Sequence, residues 1–237
     1  MHPPVIQYHK IDKPGRGVLV RGGFTPPARF ARQMSYMKRQ GFVFYSASEL
    51  IDHYKEHGVF PSNGITLTFD DGWKDNYANA FPVLQRLGIK ATIFLVPSCI
   101  GKTSAKAMAQ GESERAHLSR SEILEMSKHG IEFGSHSMNH KWLPNLTPEE
   151  VKFEVEESKK QLQDLLQKSC NLFAYPAGHY SASVERAVEN AGYAAAFTTT
   201  YGPSESTDLY ALNRVEVLRR DRFLYQFRRK IRPLEAQ

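Results

Sequence analysis

Short apolar segments alternate with longer amphipathic segments along most of this chain. The apolar segments are rich in β-branched and aromatic residues, which is typical of buried strands. The longer segments place apolar residues three and four positions apart, which is typical of helices with one buried face. Strands are predicted at 5–9, 42–45, 65–69, 91–96, 131–134, 172–175, 194–198 and 214–218. Helices are predicted at 27–40, 47–57, 76–87, 121–128, 148–168 and 183–190.

Alternating strands and helices indicate a parallel sheet covered by helices. The number of strands favours an α/β fold whose sheet curls into a distorted, TIM-like (β/α) barrel of about seven strands. A nucleotide-binding fold is disfavoured, because no glycine-rich phosphate loop follows any predicted strand. The chain has no internal repeat and no linker-like tract, so residues 1–237 are predicted to form one domain.

The overall composition is that of an ordinary globular protein of 237 residues with a net charge of +6. No apolar run reaches the roughly 20 residues that a membrane-spanning helix needs. The first ten residues lack the features of a signal peptide. We therefore expect a cytoplasmic protein as the sequence stands, or an extracytoplasmic one if a leader has been removed. Two distant cysteines, Cys99 and Cys170, give no disulfide framework.

Much of the positive charge lies near the end of the chain, where a basic C-terminal helix is predicted over 219–237. Phe223, Leu224, Phe227 and Ile231 recur there at helical spacing. We interpret the arginines between them as the solvated face of a helix that docks on the domain. A patch that attracts an anionic polymer or a membrane surface is the alternative. No nucleic-acid partner is expected, and the oligomeric state stays open.

The predicted strand 65–69 ends abruptly in two adjacent carboxylates, Asp70 and Asp71, followed by Gly72. Successive side chains of a strand point to opposite faces, so both carboxylates can face one cavity only if the strand stops there. Adjacent carboxylates repel each other unless a cation lies beside them. This stretch therefore predicts a metal site. A turn that caps the helix beginning near Asp75 is the alternative.

A histidine pair, His136 and His140, directly follows the predicted strand 131–134. Active sites of barrels lie at the carboxyl ends of the strands, so this pair should meet Asp71. Two imidazoles and one carboxylate are typical ligands of a catalytic zinc ion. His53 and His57 have the same spacing, but they lie within a predicted helix, and we interpret them as part of a surface face.

Three motifs, spanning 68–72, 136–140 and 175–178, resemble in order and spacing the first three motifs of the polysaccharide deacetylases of carbohydrate esterase family 4, which share the NodB homology domain. The resemblance covers nearly the whole chain. It implies a distorted barrel and a divalent metal, usually zinc, with Co²⁺ or Ni²⁺ as alternatives. It also implies hydrolysis of N-acetyl groups on N-acetylated carbohydrate, with a metal-bound water as nucleophile.

The resemblance also implies roles for individual residues. Asp70 matches the catalytic base of the family, and Asp71, His136 and His140 match its metal ligands. The backbone N–H of Ala177, in the third motif, matches the family's donor to the oxyanion. These roles agree with the chemistry of the residues, because an unligated carboxylate beside a metal can remove a proton from an acidified water.

Two family features are missing from this sequence. Phe173 and Ala174 occupy the region where an arginine usually opens the third motif, and no histidine follows His179. An early histidine, His9, resembles the general acid of the branch that deacetylates poly-N-acetylglucosamine in exopolysaccharide systems. Arg214 is predicted to replace the missing arginine by pairing with the base and keeping it ionised; a plain salt bridge is the alternative.

Three aromatic residues close to the motifs, Trp73, Trp142 and Tyr175, are candidates for stacking against sugar rings, with plain core packing as the alternative. Two other functions remain open from the sequence. One is a metal-dependent amidase that acts on a C–N bond of a small molecule. The other is a non-catalytic carbohydrate-binding protein on the same fold, although the presence of Asp70 argues against it.

Overall fold

Parallel strands form one curved sheet in the computed structural model, which describes residues 4–104, 114–199 and 208–235. The strands are β1 Val5–Tyr8, β2 Val43–Tyr45, β3 Gly64–Phe69, β4 Ala91–Leu95, β5 Ile131–Ser135, β6 Leu172–Ala174, β7 Ala195–Phe197 and β8 Val215–Glu216. Their order is β7-β6-β5-β4-β3-β1-β8, and β2 pairs with the first residues of β3. The eight predicted strands are all present, and the fold is the predicted TIM-like distorted barrel.

Helices cover the sheet in the order that the sequence predicts. They are α1 Pro27–Arg39, α2 Ala47–His57, α3 Phe81–Leu87, α4 Arg120–Lys128, α5 Pro148–Leu166, α6 Ala182–Asn190 and α7 Leu224–Glu235. A π-helical turn at Asn76–Ala80 leads into α3. Reciprocal capping boxes begin α2, α4 and α5, which explains why these helices start where a serine or threonine precedes a glutamate by three positions.

The two ends of the curved sheet are joined by the chain just before β8. The Ala196 N–H donates to the Leu209 carbonyl at 2.8 Å, and the Leu212 N–H donates to the Ala196 carbonyl at 2.9 Å. This segment therefore runs along β7, while β8 pairs with β1 through Ile6 and Val215. As a result, the residues that follow β3, β5 and β6 lie near the residues that precede and follow β8.

The basic C-terminal helix begins at Leu224, not at residue 219 as predicted. The Asp221 carboxylate accepts a hydrogen bond from the Leu218 N–H at 2.8 Å, which holds a turn ahead of the helix. Residues 236–237 of the predicted helix lie outside the described residues. No described helix combines the length and the apolar character that a bilayer-spanning segment needs.

The docking of this helix agrees with its apolar spacing. Phe227 and Ile231 are fully buried in the main core, whereas Phe223 and Leu224 remain exposed. The Arg228 guanidinium lies 5.2 Å from the ring centre of Tyr36, on α1. The helix is thus held on the domain by two buried side chains.

Candidate active site

The two carboxylates after β3 reach the same cavity because the backbone turns sharply between them. Asp71 has a φ of 72° and Gly72 a φ of 68°, both in the left-handed region. Aspartate tolerates this region better than most residues with a side chain. A Cβ on Gly72 would lie 2.7 Å from Leu95 Cδ2, so a larger residue in this left-handed turn would have to displace that side chain. Asp70 and Asp71 both line a cavity of about 290 Å³.

The histidines that follow β5 meet Asp71 at this cavity. Asp71 Oδ1 lies 3.1 Å from His140 Nε2 and 3.8 Å from His136 Nε2. Ligand atoms of the three residues all lie within 4.8 Å of one another. Two imidazole nitrogens and one carboxylate oxygen at this spacing fit a divalent cation such as zinc. The same three residues were predicted from the sequence to be metal ligands.

The protonation of His136 also fits a metal ligand. Its Nδ1 lies 2.7 Å from the Ala174 carbonyl, which can only accept, so Nδ1 carries the proton and Nε2 keeps a lone pair that faces Asp71. Burial lowers the pKa of His136 to about 4, against the opposing influence of Asp70. The ring is therefore neutral at neutral pH, as a metal ligand must be.

The loop that carries His140 is fixed by a buried glutamate from α5. The Asn139 N–H and its side-chain amide each donate to the Glu154 carboxylate at 2.8 Å. Ser137 and His140 both have left-handed φ angles, and the Ser137 hydroxyl accepts a hydrogen bond from the His140 N–H at 3.0 Å. Glu154 thus holds a tightly wound loop in one conformation.

Asp70 lies beside these ligands and accepts three strong hydrogen bonds. Arg214 donates to both of its oxygens, at 2.7 and 2.8 Å, and the Gln7 side-chain amide donates to Oδ2 at 2.7 Å. Asp70 and Arg214 are each 1% exposed. Burial is the largest single influence and raises the pKa of Asp70, but the Arg214 guanidinium, together with the smaller influences of His136 and His9, lowers that pKa to about 2. The carboxylate is therefore ionised throughout the neutral range.

Arg214 is oriented by contacts on the far side of its guanidinium. Its Nε donates to the Thr198 carbonyl at 3.0 Å, and Nη1 also donates to the Thr68 hydroxyl at 3.2 Å. The ring centre of Phe94 lies 5.6 Å from its Cζ. The pair that the sequence suggested between Arg214 and Asp70 is thus present, with bidentate geometry.

Two further predicted residues line the same cavity. His9 follows β1 and is half-buried, and its Nδ1 has no hydrogen-bond partner among the described residues. Its carbonyl accepts a hydrogen bond from the Asn76 side chain at 2.9 Å, which fixes the backbone at this point. Ala177 lies in a tight turn at Pro176–Gly178 with a left-handed φ of 55°, and it is exposed at the cavity.

Sequence comparison places this arrangement in a family. A family model described as polysaccharide deacetylase matches residues 57–196. A Bacillus subtilis (strain 168) protein named "Putative polysaccharide deacetylase YxkH" is 31% identical over 215 residues, which cover 90% of this chain and 71% of that protein. The chain belongs to the polysaccharide deacetylase family. The resemblance drawn from the three motifs is confirmed.

Two other similar proteins extend the comparison. The poly-beta-1,6-N-acetyl-D-glucosamine N-deacetylase of Staphylococcus aureus (strain MSSA476) is 28% identical over 160 residues, which cover 64% of this chain and 52% of that protein. The solved structure of Streptococcus pyogenes deacetylase PplD in complex with acetate is 27% identical, with a TM-score of 0.80. That alignment covers 91% of this chain and 92% of the other.

The aromatic residues of this polysaccharide deacetylase differ in their exposure. Trp73 is 1% exposed, and Tyr175 is fully buried with its hydroxyl on the Tyr210 carbonyl. The prediction that these two rings stack on sugar does not agree with this burial, because neither has a free face. Trp142 is 46% exposed and stacks on His179, with 4.1 Å between ring centres.

Sequence reasoning missed two residues of this deacetylase site, Gln7 and Glu154. Gln7 interrupts the otherwise apolar β1, and it is fully buried. Glu154 lies between Val151 and Val155 on the buried face of α5. A polar residue at a position that the hydrophobic pattern assigns to the core was the signal available in both cases.

Proposed function

We propose that this chain removes N-acetyl groups from a GlcNAc-containing polysaccharide or oligosaccharide, with a divalent cation held by Asp71, His136 and His140. One observation carries the proposal: three ligand atoms converge on a cavity wall directly beside an ionised, buried carboxylate, Asp70. A metal-dependent hydrolase needs both features in one place. The name of the staphylococcal relative supports the choice of an N-acetylated substrate, and the acetate in the streptococcal deacetylase structure agrees with release of an acetyl group.

A divalent cation at this position would polarise the amide carbonyl and acidify a coordinated water. Asp70 is the base in our proposal. Since its pKa lies near 2, it is ionised at every pH at which the reaction would be run, and it is ready to accept a proton. Arg214 and Gln7 hold the carboxylate in place, and Arg214 keeps it charged.

In our proposal, two further residues that line the cavity protonate the departing amine and stabilise the oxyanion. His9 is the acid in our proposal, since it lines the same cavity as the metal ligands and no histidine follows His179 in the sequence. The Ala177 N–H is the proposed oxyanion donor, because Ala177 lines the cavity on a tight turn with a left-handed conformation.

Substrate contact outside the cavity is assigned to Trp142. Its exposed ring lies on the segment that follows His140, and its stacking partner, His179, follows the turn that carries Ala177. The aromatic pair thus spans the two loops that border the cavity. An exposed, pre-ordered aromatic face is suited to the apolar face of a sugar ring.

The test combines metal analysis with acetate release. Wild type and His136→Ala are loaded with zinc, dialysed and measured by elemental analysis, and both are assayed on N-acetylglucosamine oligomers. We expect near-stoichiometric zinc and acetate release for wild type, and loss of both in the variant. His53→Ala serves as a matched control, because His53 belongs to a histidine pair of the same spacing on α2.

The alternatives give different results. Zinc bound by wild type without acetate release from any N-acetylated saccharide would favour an amidase acting on a small molecule. Saccharide binding without turnover in the zinc-loaded protein would favour a carbohydrate-binding role. Failure of wild type to bind any divalent metal would refute the proposed centre itself.

A further inference from the structure

We infer that Trp73 is a positioning residue for the metal ligand Asp71, and that it restricts Asp71 to binding a cation through one oxygen, Oδ1. The inference rests on the proposed metal centre and deepens it. It assigns to Trp73 a function other than the sugar contact that its sequence position suggested.

The two carboxylate oxygens of Asp71 have different surroundings. Oδ1 faces the histidines, 3.1 Å from His140 Nε2 and 3.8 Å from His136 Nε2. Oδ2 accepts a hydrogen bond from the Trp73 indole N–H at 2.9 Å. Since that N–H occupies a lone pair of Oδ2 and fixes the plane of the carboxylate, Oδ1 is the oxygen presented to a cation.

The indole ring is itself immobilised. Trp73 is 1% exposed, and the His117 imidazole stacks on it with 4.2 Å between ring centres and 25° between planes. The Lys10 ammonium lies 4.5 Å from its ring centre, within the range of a cation–π contact. A ring held in this way gives its N–H a fixed direction, and it cannot turn to follow a ligand.

His117 holds the main chain of the same aspartate. Its Nδ1 lies 2.9 Å from the Asp71 carbonyl, and since a carbonyl only accepts, Nδ1 is the donor. An antiparallel bridge joins Trp73 to His117, and the Leu118 N–H donates to the Gly72 carbonyl at 2.9 Å. Segment 116–118 therefore fixes the left-handed backbone of Asp71 as well as the indole that holds its side chain.

The consequence is a ligand that is ordered before any cation arrives. A carboxylate that binds through one oxygen leaves a coordination position open that a chelating carboxylate would fill. Open positions are needed at a catalytic centre for water and for the substrate carbonyl. The indole hydrogen bond would thus protect both the affinity and the open geometry of the centre.

Trp73→Phe tests the inference, because it removes the indole N–H and keeps an aromatic ring. Trp142→Phe is the matched control, since the chain has two tryptophans and Trp142 is exposed. Zn²⁺ and Co²⁺ affinities are measured without sugar, by competition with a chromophoric chelator. We expect Trp73→Phe to bind both metals about tenfold to 100-fold more weakly, the usual effect of losing a residue that orients a ligand. The affinity of Trp142→Phe should equal that of wild type.

The Co²⁺ absorption spectrum gives a second readout, which would not change if Trp73 only stabilised the fold. Its d–d bands weaken as the coordination number rises. If Asp71 is released to chelate in Trp73→Phe, the molar absorption of the cobalt-loaded variant should fall below that of wild type. Equal affinities and equal spectra in Trp73→Phe and wild type would overturn the inference and leave the metal centre intact. Failure of wild type to bind metal would overturn both.

A second measurement covers the case in which Trp73→Phe does not fold. In Trp142→Phe, Trp73 is the one remaining tryptophan, and its emission can be excited selectively at the red edge of the indole band. Its hydrogen-bond partner gains a cation when metal binds, so the emission should change and saturate at one equivalent of Zn²⁺. The same titration of the double variant with His136→Ala should give no change. Emission that does not respond to bound Zn²⁺ would overturn the inference.

Discussion

Replacing Arg214 by methionine removes the guanidinium from the bidentate pair with Asp70 and keeps a long apolar stem. Both partners are buried, with N–O distances of 2.7 and 2.8 Å. Breaking a buried ion pair by removing one partner costs about 3–5 kcal/mol, because it leaves an uncompensated charge. We expect a loss of stability of this size for Arg214→Met at neutral pH.

The loss should depend on pH in a direction that the structure fixes. The folded-state pKa of Asp70, about 2, lies below its ordinary 3.8, so in wild type this carboxylate adds stability above about pH 4 and loses it as the pH falls through 2. At 1.36 kcal/mol per pKa unit, the difference between these two pKa values corresponds to about 2 kcal/mol of folding stability. Without Arg214, burial is the largest remaining influence on Asp70, and we expect it to raise the pKa of this carboxyl above the ordinary value. The variant then loses stability as the pH rises from about 4.

Urea unfolding of the metal-free proteins at about pH 7 and about pH 4 measures this difference. The destabilisation caused by Arg214→Met should be larger at about pH 7 than at about pH 4, because Asp70 of the variant is a buried anion without its partner only at the higher pH. Arg220→Met is the control, because Arg220 is exposed, and its effect should be small at both values. An equal destabilisation by Arg214→Met at both values would show that Arg214 does not hold the charge on Asp70.

Three further predictions concern the acid, the loop of the second motif and the C-terminal helix. His9→Ala should keep its metal and lose turnover, measured by metal titration beside acetate release; an active variant would exclude His9 as the acid. Glu154→Gln should weaken zinc binding and lower the free energy of unfolding in urea by about 1–3 kcal/mol, because the new amide N–H faces a donor of Asn139 where the carboxylate accepted a hydrogen bond. Glu156→Gln on the same helix should change neither quantity. Phe227→Ala should lower the free energy of unfolding by about 3–5 kcal/mol, because Phe227 is buried. Phe223 is exposed, so Phe223→Ala should lower it much less. Similar losses in the two variants would mean that the helix is not docked as described.

Much of the fold could be predicted because the residue type at a position reflects whether that position is buried. All six residues of β3 are buried, and their uncharged, mostly β-branched, aliphatic or aromatic side chains mark the strand without any knowledge of its neighbours. The start of α5 could be predicted for a similar reason, since the Thr147 cap and Glu150 form a capping box within four residues. The start of α7 could not, because the turn at Asp221 ahead of it depends on Lys230, nine residues later.

The metal ligands could be predicted because parallel strands bring their carboxyl ends to one edge of the sheet. Asp71 follows β3 and His140 follows β5, so strand position alone placed them together. The role of Trp73 could not be predicted in this way. Its place beside the first motif suggested a sugar contact, and only the packing of His117 and Lys10 against it shows a buried ring that holds a carboxylate.

The sequence by itself thus determined which residue types stand at the ends of the strands, since that information is local. The tertiary structure decided which of them touch. Arg214 and Asp70 are separated by 144 positions, and Gln7 and Asp70 by 63. Their contacts depend on the register of β8 against β1 and of β1 against β3, which is set by the packing of the whole barrel.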